Sequence, residues 1–68
     1  MNIREIYIVK NARLAINNDD SIIIELNRGQ KWVVVGKPNS VQVTIQRENV
    51  TITIPVSDFN DIFEFEEE

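Results

Sequence analysis

The eleven carboxylates of this 68-residue chain are its main resource for chemistry, because the sequence contains no histidine and no cysteine. Histidine is the most frequent general acid or base, cysteine supplies the thiol nucleophile, and both are favoured ligands of transition metals. Their absence leaves carboxylates, lysines, Tyr7 and a few hydroxyl groups. We therefore expect a protein that is not an enzyme and that uses no cofactor.

Two kinds of segment could be taken for ligand-binding loops. Asp19, Asp20 and the C-terminal glutamates could attract calcium, but neither group has the alternating ligand spacing of a dedicated calcium loop. The pair Gly36-Lys37 lacks the upstream glycine and the following serine or threonine of a phosphate-binding loop. We interpret these segments as solvated turns and a solvated tail, and predict no metal site.

The carboxylates are unevenly distributed along the chain. Residues 58–68 hold six of them and no cation, whereas residues 1–57 carry seven cations and five acids, a balance of +2. The six are Asp58, Asp61, Glu64, Glu66, Glu67 and Glu68. Such an acidic, phenylalanine-containing end could screen the chain's own basic face, present a negative surface to a partner, or keep a β-rich protein soluble.

The elements that position these residues are predicted to be short strands. Apolar residues alternate with polar ones over 41–46 and again over 50–56, and a polar step at 47–49 joins the two runs. This pattern is typical of a tight β-hairpin. Further extended segments are predicted at 6–9, 12–16, 22–26 and 31–35, separated by Asn/Asp-rich residues 17–20, by Gly29 and by residues 36–40.

The C-terminal end fits two patterns. Phe59, Ile62 and Phe63 have the spacing of a helical stripe, whereas Phe63 and Phe65 alternate with glutamates as in a strand. We predict one helical turn from Ser57 to Asn60 with Ser57 as its N-cap, a short strand over 61–65 and a frayed tail.

The order of the predicted elements and two short sequence motifs resemble those of a known fold. Residues 26–34 contain a leucine-x-x-glycine step at Leu26 and Gly29, and residues 54–59 contain an isoleucine-proline pair, Ile54-Pro55, before the helical turn. Over residues 3–65 the order of elements resembles an SH3-like small barrel. Seven short extended segments without a long helical pattern predict an all-β barrel or sandwich. The resemblance implies a single small SH3-like barrel of five to seven antiparallel strands over residues 1–65, followed by an acidic tail at 66–68.

The chain departs from the peptide-binding members of that family. The tyrosine-rich first motif and the tryptophan after the short loop are replaced by residues 12–15 and 41–43. The aromatic groove that grips polyproline helices is therefore expected to be missing. Trp32, Phe59 and Phe63 are read as core residues, with an interface role as the alternative. Phe65, between two glutamates, is either a partner anchor or an ordinary strand residue.

The leading functional hypothesis is a protein–protein interaction module that docks on a larger cytoplasmic protein through its acidic aromatic end. Aromatic rings would anchor the contact and carboxylates would steer it toward a basic surface. A narrower form of the hypothesis is an inhibitor that competes with phosphates for a nucleic-acid-binding cleft. The expected contact residues are Phe63, Glu64, Phe65, Glu66 and Glu67.

The rival hypothesis is a small barrel that binds nucleic acid, with the acidic end folded back as an autoinhibitory mimic. Basic residues converging on one face, with a ring for base stacking, would carry that function. The net charge of −4 opposes it, because sequence-independent binding depends on several phosphate contacts. The expected residues are Arg13, Arg28, Lys31, Trp32 and Lys37.

The last expectations concern the cellular location and the oligomeric state of the protein. No apolar run approaches the ~20 residues that cross a bilayer, and the opening residues lack a secretory pattern, so no membrane partner and a cytoplasmic location are expected. A chain of this size builds only a small core, and it has no disulfide to support it. Homo-oligomerisation and a monomeric state are both left open.

Overall fold

The computed structural model describes residues 2–17 and 21–66, which form seven β-strands and one α-helix. All their strand pairs are antiparallel, which confirms the predicted all-β class. The elements are β1 (Ile6–Val9), β2 (Arg13–Ile16), β3 (Ile23–Leu26), β4 (Lys31–Asn39), β5 (Gln42–Arg47), β6 (Val50–Pro55), α1 (Val56–Ile62) and β7 (Phe63–Phe65).

The strands are divided between two sheets. Five of them form one sheet in the order β6-β5-β4-β1-β7, while β2 and β3 pair only with each other within the described residues. The strand ladder over these residues ends at β6 and β7 and does not close into a barrel. The long strand β4 lies at the centre of the larger sheet, and β1 joins it to the C-terminal strand.

The hairpin of β5 and β6 matches the alternating pattern that predicts it. Its register runs from Gln42 opposite Pro55 to Arg47 opposite Val50, so Glu48 and Asn49 form a two-residue turn. Glu48 has a φ of 55°, the left-handed conformation that tight hairpin turns require. The side chains of Thr44 and Thr53 are hydrogen-bonded across the pair at 2.9 Å.

The predicted break at residues 36–40 is wrong, because β4 continues as far as Asn39. The register between β4 and β5 shifts on both sides of Gly36. These irregularities accommodate Pro38, because proline has no N–H to donate to the strand ladder. The turn comes later, where the Asn39 side chain accepts a hydrogen bond from the Val41 N–H at 2.9 Å. The segment at residues 36–40, which the sequence predicts to interrupt the strand, thus contains bulges within β4 as well as the turn that follows it.

The predicted single helical turn is longer than expected. Helix α1 covers two turns, because Phe59 and Ile62 are both buried and belong to the same stripe. Ser57 is not the N-cap: Pro55 occupies that position, and the described residues provide no side-chain cap. The Val56 N–H instead donates to the Val41 carbonyl at 2.9 Å. The final strand therefore starts at Phe63 and not at residue 61.

One hydrophobic core lies between the inward faces of the sheet, the helix and the hairpin. The core interpretation of Trp32, Phe59 and Phe63 is confirmed, since each is at most 3% exposed. The remaining buried apolar residues are Val9, Ala15, Leu26, Val34, Val43, Ile45, Ile52, Ile54 and Ile62. Those on strands occupy alternate positions, as period-two patterning requires, and Ile62 lies on the inward face of α1.

Asn17 connects the separate hairpin to the main sheet. Its side-chain oxygen accepts a hydrogen bond from the Thr53 backbone N–H at 3.0 Å in a buried position. Its own backbone closes the hairpin, since its N–H donates to the Ile22 carbonyl at 2.9 Å and its carbonyl accepts from the Ser21 N–H at 2.8 Å. Thr53 lies on β6, an edge strand, so Asn17 also covers part of that edge.

We expect Asn17→Ala to destabilise the protein by ~1–3 kcal/mol, because the buried Thr53 N–H loses its acceptor and its desolvation is no longer compensated. Urea denaturation followed by the fluorescence of Trp32, the sole tryptophan, measures the change. The matched control is Asn27→Ala at an exposed position, expected to stay within about 0.5 kcal/mol of the original. Equal stability of the two variants would contradict the role given to Asn17.

Candidate functional site

The acidic end is built into the main sheet as its edge strand. Strand β7 pairs with β1 so that Phe63 lies opposite Val9 and Phe65 opposite Tyr7. The two phenylalanines differ sharply in exposure, at 3% for Phe63 and 49% for Phe65. Phe63 is therefore a core residue and is not accessible as a partner anchor, whereas Phe65 is half accessible to solvent.

Phe65 is the outermost ring of an aromatic row that continues into the core. Its ring meets Tyr7 edge-on at a centroid distance of 5.4 Å, and Tyr7 meets Phe59 in the same way at 4.9 Å. Phe59 in turn stacks on Phe63 at 4.8 Å. Such pairs are favourable geometries of the ring quadrupoles. One side of Phe65 is thus held by Tyr7 while the rest of the ring faces outward.

Glu66, which the sequence places in a frayed tail, is held by the fold. Its N–H donates to the Ile6 carbonyl at 3.1 Å, and its carboxylate lies 2.7 Å from the Lys31 ammonium. The lysine side chain is largely exposed, so this ion pair contributes at most ~1 kcal/mol. Glu64 is exposed on β7, and Glu67 lies outside the described residues.

A groove of about 360 Å³ lies beside Phe65, lined also by Arg4, Glu5, Ile6 and Glu66. Arg4 has a φ of 74°, a left-handed conformation that costs a non-glycine residue roughly 1–2 kcal/mol. Its backbone N–H donates to the Val34 carbonyl at 2.6 Å, which holds the segment against β4. The groove therefore combines one cation, two carboxylates and two apolar side chains on a constrained backbone.

The outer side of β7 has backbone groups available for pairing. In an antiparallel pair, the N–H groups of successive residues point alternately toward and away from the partner strand. Because the Glu66 N–H points toward β1, the Phe65 N–H points away from it. No strand of the described chain pairs with that side of β7. The half-exposed ring and this unpaired edge are adjacent.

The residues expected to bind nucleic acid do not form the basic face with an exposed ring that such binding requires. Trp32 is 3% exposed, and its indole N–H has no hydrogen-bond partner within the described part of the chain. Its ring is packed in the core and presents no face for base stacking, which corrects the expectation that it belongs to a binding surface.

The four cations of that hypothesis are divided between β2, the turn before Gly29 and the two ends of β4. Arg13 is on β2 with its guanidinium 3.7 Å from the Asp61 carboxylate, and Lys31 on β4 is paired with Glu66. Arg28 is exposed in the turn before Gly29, and Lys37 is exposed on the irregular part of β4. Carboxylates stand beside Arg13 and Lys31, which lowers the positive potential that phosphates would meet there.

A second groove, of about 400 Å³, opens between the β4–β5 turn and the start of α1. Val41, Pro55 and Val56 supply its apolar surface, and Val41 is 65% exposed. Sequence reasoning missed both grooves, because each depends on which loops meet in space. The sequence also gives no sign that Val41 is exposed, because an apolar residue of an alternating run is expected to face the core.

The surroundings of Tyr7 change the ionisation of its phenol. Partial burial, the neighbouring Glu5 charge and a 3.2 Å hydrogen bond from the Tyr7 hydroxyl to the Glu5 carboxylate raise the pKa of Tyr7 above its ordinary value of 10.0. All three causes disfavour the phenolate. The described residues contain no cluster of acidic side chains that could hold a metal ion.

Comparison with models of protein families, with curated proteins and with solved structures gave no match to this chain. In the described part of the chain, no helix has the length and apolar character needed to cross a bilayer.

We predict that the phenol of Tyr7 titrates above pH 10.0 in the folded protein. Because the folded state holds this proton more tightly than the unfolded chain, its contribution to stability is complete below pH ~10 and is lost as the pH rises through the folded pKa. Ultraviolet absorbance of tyrosinate follows this sole tyrosine directly. Glu5→Gln is expected to bring the titration closer to the ordinary value. Titration of the original protein at or below 10.0 would contradict the assigned contacts.

Proposed function

We propose that this chain is a non-enzymatic protein–protein interaction module that docks on a larger protein through the edge formed by β7. The contact segment is Glu64, Phe65 and Glu66, continuing into Glu67, while Phe63 supports it from the core. The observation that carries this proposal is the half-exposed ring of Phe65, seated on Tyr7 at an unpaired strand edge. A cytoplasmic location belongs to the same proposal and rests on the sequence pattern.

The ring of Phe65 has the properties of an interface anchor. Residues that dominate binding energy are mostly large side chains that fill a pocket and exclude water. Phe65 offers such a surface beside a groove, and its contact with Tyr7 restricts its motion before any partner binds. Less conformational entropy is then lost on association. These features support a specific contact at this position.

Electrostatics support a partner with a basic surface. Glu64 is exposed, and the carboxylates of Glu5 and Glu66 line the groove beside Phe65. Charges at the rim of an interface accelerate encounter and exclude wrong partners more than they add affinity. Arg4 adds one cation to the groove. The best partner surface would therefore have a hydrophobic pocket for Phe65, cations around that pocket, and one acidic group to pair with Arg4. An inhibitor of a nucleic-acid-binding cleft is a narrower form of this proposal, supported by charge alone.

We also propose that the fold is SH3-like. The strand order β6-β5-β4-β1-β7, a separate hairpin between β1 and β4, and a short helix between β6 and β7 support this arrangement. The central strand β4 is irregular around Gly36, as a strand that contributes to two curved layers must be. No ligand site is transferred with this proposal. Nucleic-acid binding gains no support from the placement of Trp32 and the four cations.

The test of the proposed function uses point substitutions, because truncation at Asn60 would remove the buried Ile62 and Phe63. A partner is first recovered by affinity capture from a nuclease-treated lysate of the source organism, then purified and titrated by calorimetry. We expect Phe65→Ala to weaken binding about 30-fold, the ~2 kcal/mol loss typical of an interface anchor. Glu64→Gln should slow association, with an effect that diminishes at high salt.

The matched control is Val50→Ala, which shortens a comparably exposed apolar side chain on the opposite edge strand, β6. It should leave affinity within about twofold, as for a residue outside the contact. Unfolding curves of each variant separate lost binding from lost folding. Unchanged affinity of Phe65→Ala would refute the proposal, and so would recovery of nucleic acid in place of a protein when nuclease is omitted.

A further inference from the structure

The backbone groups of β7 alternate between its two sides. The Glu66 N–H donates to the Ile6 carbonyl at 3.1 Å, so the backbone groups of Glu64 and Glu66 face β1. Phe63 and Phe65 occupy the positions between, which exchange no hydrogen bonds with β1. Both the N–H and the C=O of each phenylalanine therefore point to the outer edge of the sheet.

Phe65 carries the open backbone groups of this edge. The Phe63 N–H already donates to the Phe59 carbonyl at the end of α1, and Phe63 is 3% exposed. Phe65 is 49% exposed, and the described residues place no strand beside its outward N–H and C=O. In an antiparallel sheet, one residue of an added strand bonds to both of these groups at once. The edge is therefore able to accept a further strand at Phe65.

We infer that the partner adds an extended segment to β7, antiparallel to it and hydrogen-bonded to Phe65. This inference rests on the proposed function and specifies how the partner is recognised. Every strand pair of the described chain is antiparallel, and antiparallel pairing is slightly more stable per residue than parallel pairing. In recognition by strand addition, backbone bonds supply affinity and alternate side chains supply specificity.

The partner residue opposite Phe65 should be apolar and β-branched. In a hydrogen-bonded antiparallel pair, the two side chains point to the same face of the sheet. The partner side chain would thus lie beside the exposed part of the Phe65 ring, which contacts the Tyr7 ring at a centroid distance of 5.4 Å. Aromatic and β-branched side chains form favourable cross-strand pairs. Valine or isoleucine at this position would cover the ring.

The partner residues on either side of that position should be lysine or arginine. They would lie opposite Glu64 and Glu66, whose side chains alternate with that of Phe65 and point to the other face of the sheet. Opposite charges in cross-strand positions stabilise a sheet. Glu64 is exposed, whereas Glu66 already pairs with Lys31 at 2.7 Å, so the stronger contact is expected at Glu64. The segment that fits this edge is one in which basic and apolar residues alternate.

A second copy of this chain fits the same edge poorly. Two copies of β7, paired antiparallel at Phe65, would place Glu64 of each directly opposite Glu66 of the other. Like charges in that position destabilise a sheet. The carboxylates therefore select a basic segment over a second β7, in the way that charged edge strands prevent self-association.

The synthetic peptide acetyl-Lys-Val-Lys-Val-Lys-Val-Lys-amide is a direct probe of this edge. Titrated against the isotope-labelled full chain and followed by nuclear magnetic resonance, it should bind with a Kd on the order of 100 μM, as for a small, transient contact. Saturation should slow hydrogen exchange of the Phe65 N–H at least tenfold, because a bonded amide exchanges only when the pair opens.

The matched control peptide has N-methylated valines, which keep the charge but remove the donors that would face β7. It should bind at least tenfold more weakly, since the Phe65 carbonyl then receives no hydrogen bond. The inference would be overturned by equal binding of the two peptides, or by no binding of the first up to about 1 mM.

A backbone change in the chain itself separates strand addition from the proposed function. An ester in place of the amide between Glu64 and Phe65, introduced by chemical synthesis, removes the Phe65 N–H and keeps its ring. We expect it to weaken binding of the lysine–valine peptide and of the captured protein about tenfold. The control ester precedes Thr51, whose N–H, like that of Thr53, points outward from the opposite edge strand β6. It should change binding less than twofold.

Unfolding curves confirm that both ester variants are folded. Weaker binding of the captured protein with Phe65→Ala but not with the ester at Phe65 would overturn strand addition and leave the proposed function standing. Binding that neither change affects would refute both. Weaker binding with each of the two changes, and not with the ester at Thr51, is the expected result.

Discussion

The pairing of β7 with β1 is the contact on which the rest of the structure depends. Strand β1 is bonded to β4 on one side and to β7 on the other, so the C-terminal residues complete the sheet that the N-terminal ones begin. This pairing buries Phe63 and places Phe65 on Tyr7. It also brings Glu66 to Lys31. Glu66, which the sequence places in the acidic tail, thereby becomes part of the folded domain.

A second constraint concerns the two edges of the five-stranded sheet. The edge of β6 is protected at Thr53 by the Asn17 side chain and at Pro55 by the missing N–H. The edge of β7 is short and flanked by carboxylates, which discourages uncontrolled pairing between copies. Against these protected edges, the half-exposed Phe65 stands out. The surface proposed for binding is thus a place where the chain leaves an apolar ring partly uncovered.

Period-two alternation was enough to predict the all-β class and the β5–β6 hairpin, because local patterning decides which face of a strand is apolar. The burial of Trp32 was predicted from a large aromatic residue followed by three valines in a strand. It could not predict that β4 passes through Gly36 and Pro38, since bulges depend on the partner strand. The same limit applies to α1, where the burial of Ile62 extends the helix. Phe63 and Phe65 share a residue type, a glutamate-rich context and the edge strand β7, and only their position along that strand, opposite Val9 or opposite Tyr7, separates core from surface.

The central claim is that Phe65, presented by an edge strand, contacts a protein. A photoreactive benzoylphenylalanine in place of Phe65, irradiated in a lysate of the source organism, tests it most directly, with the same group in place of Val50 as the reference. The account predicts a covalent adduct with one protein from position 65 and none of that species from position 50. Adducts with nucleic acid alone, or the same pattern from both positions, would contradict it.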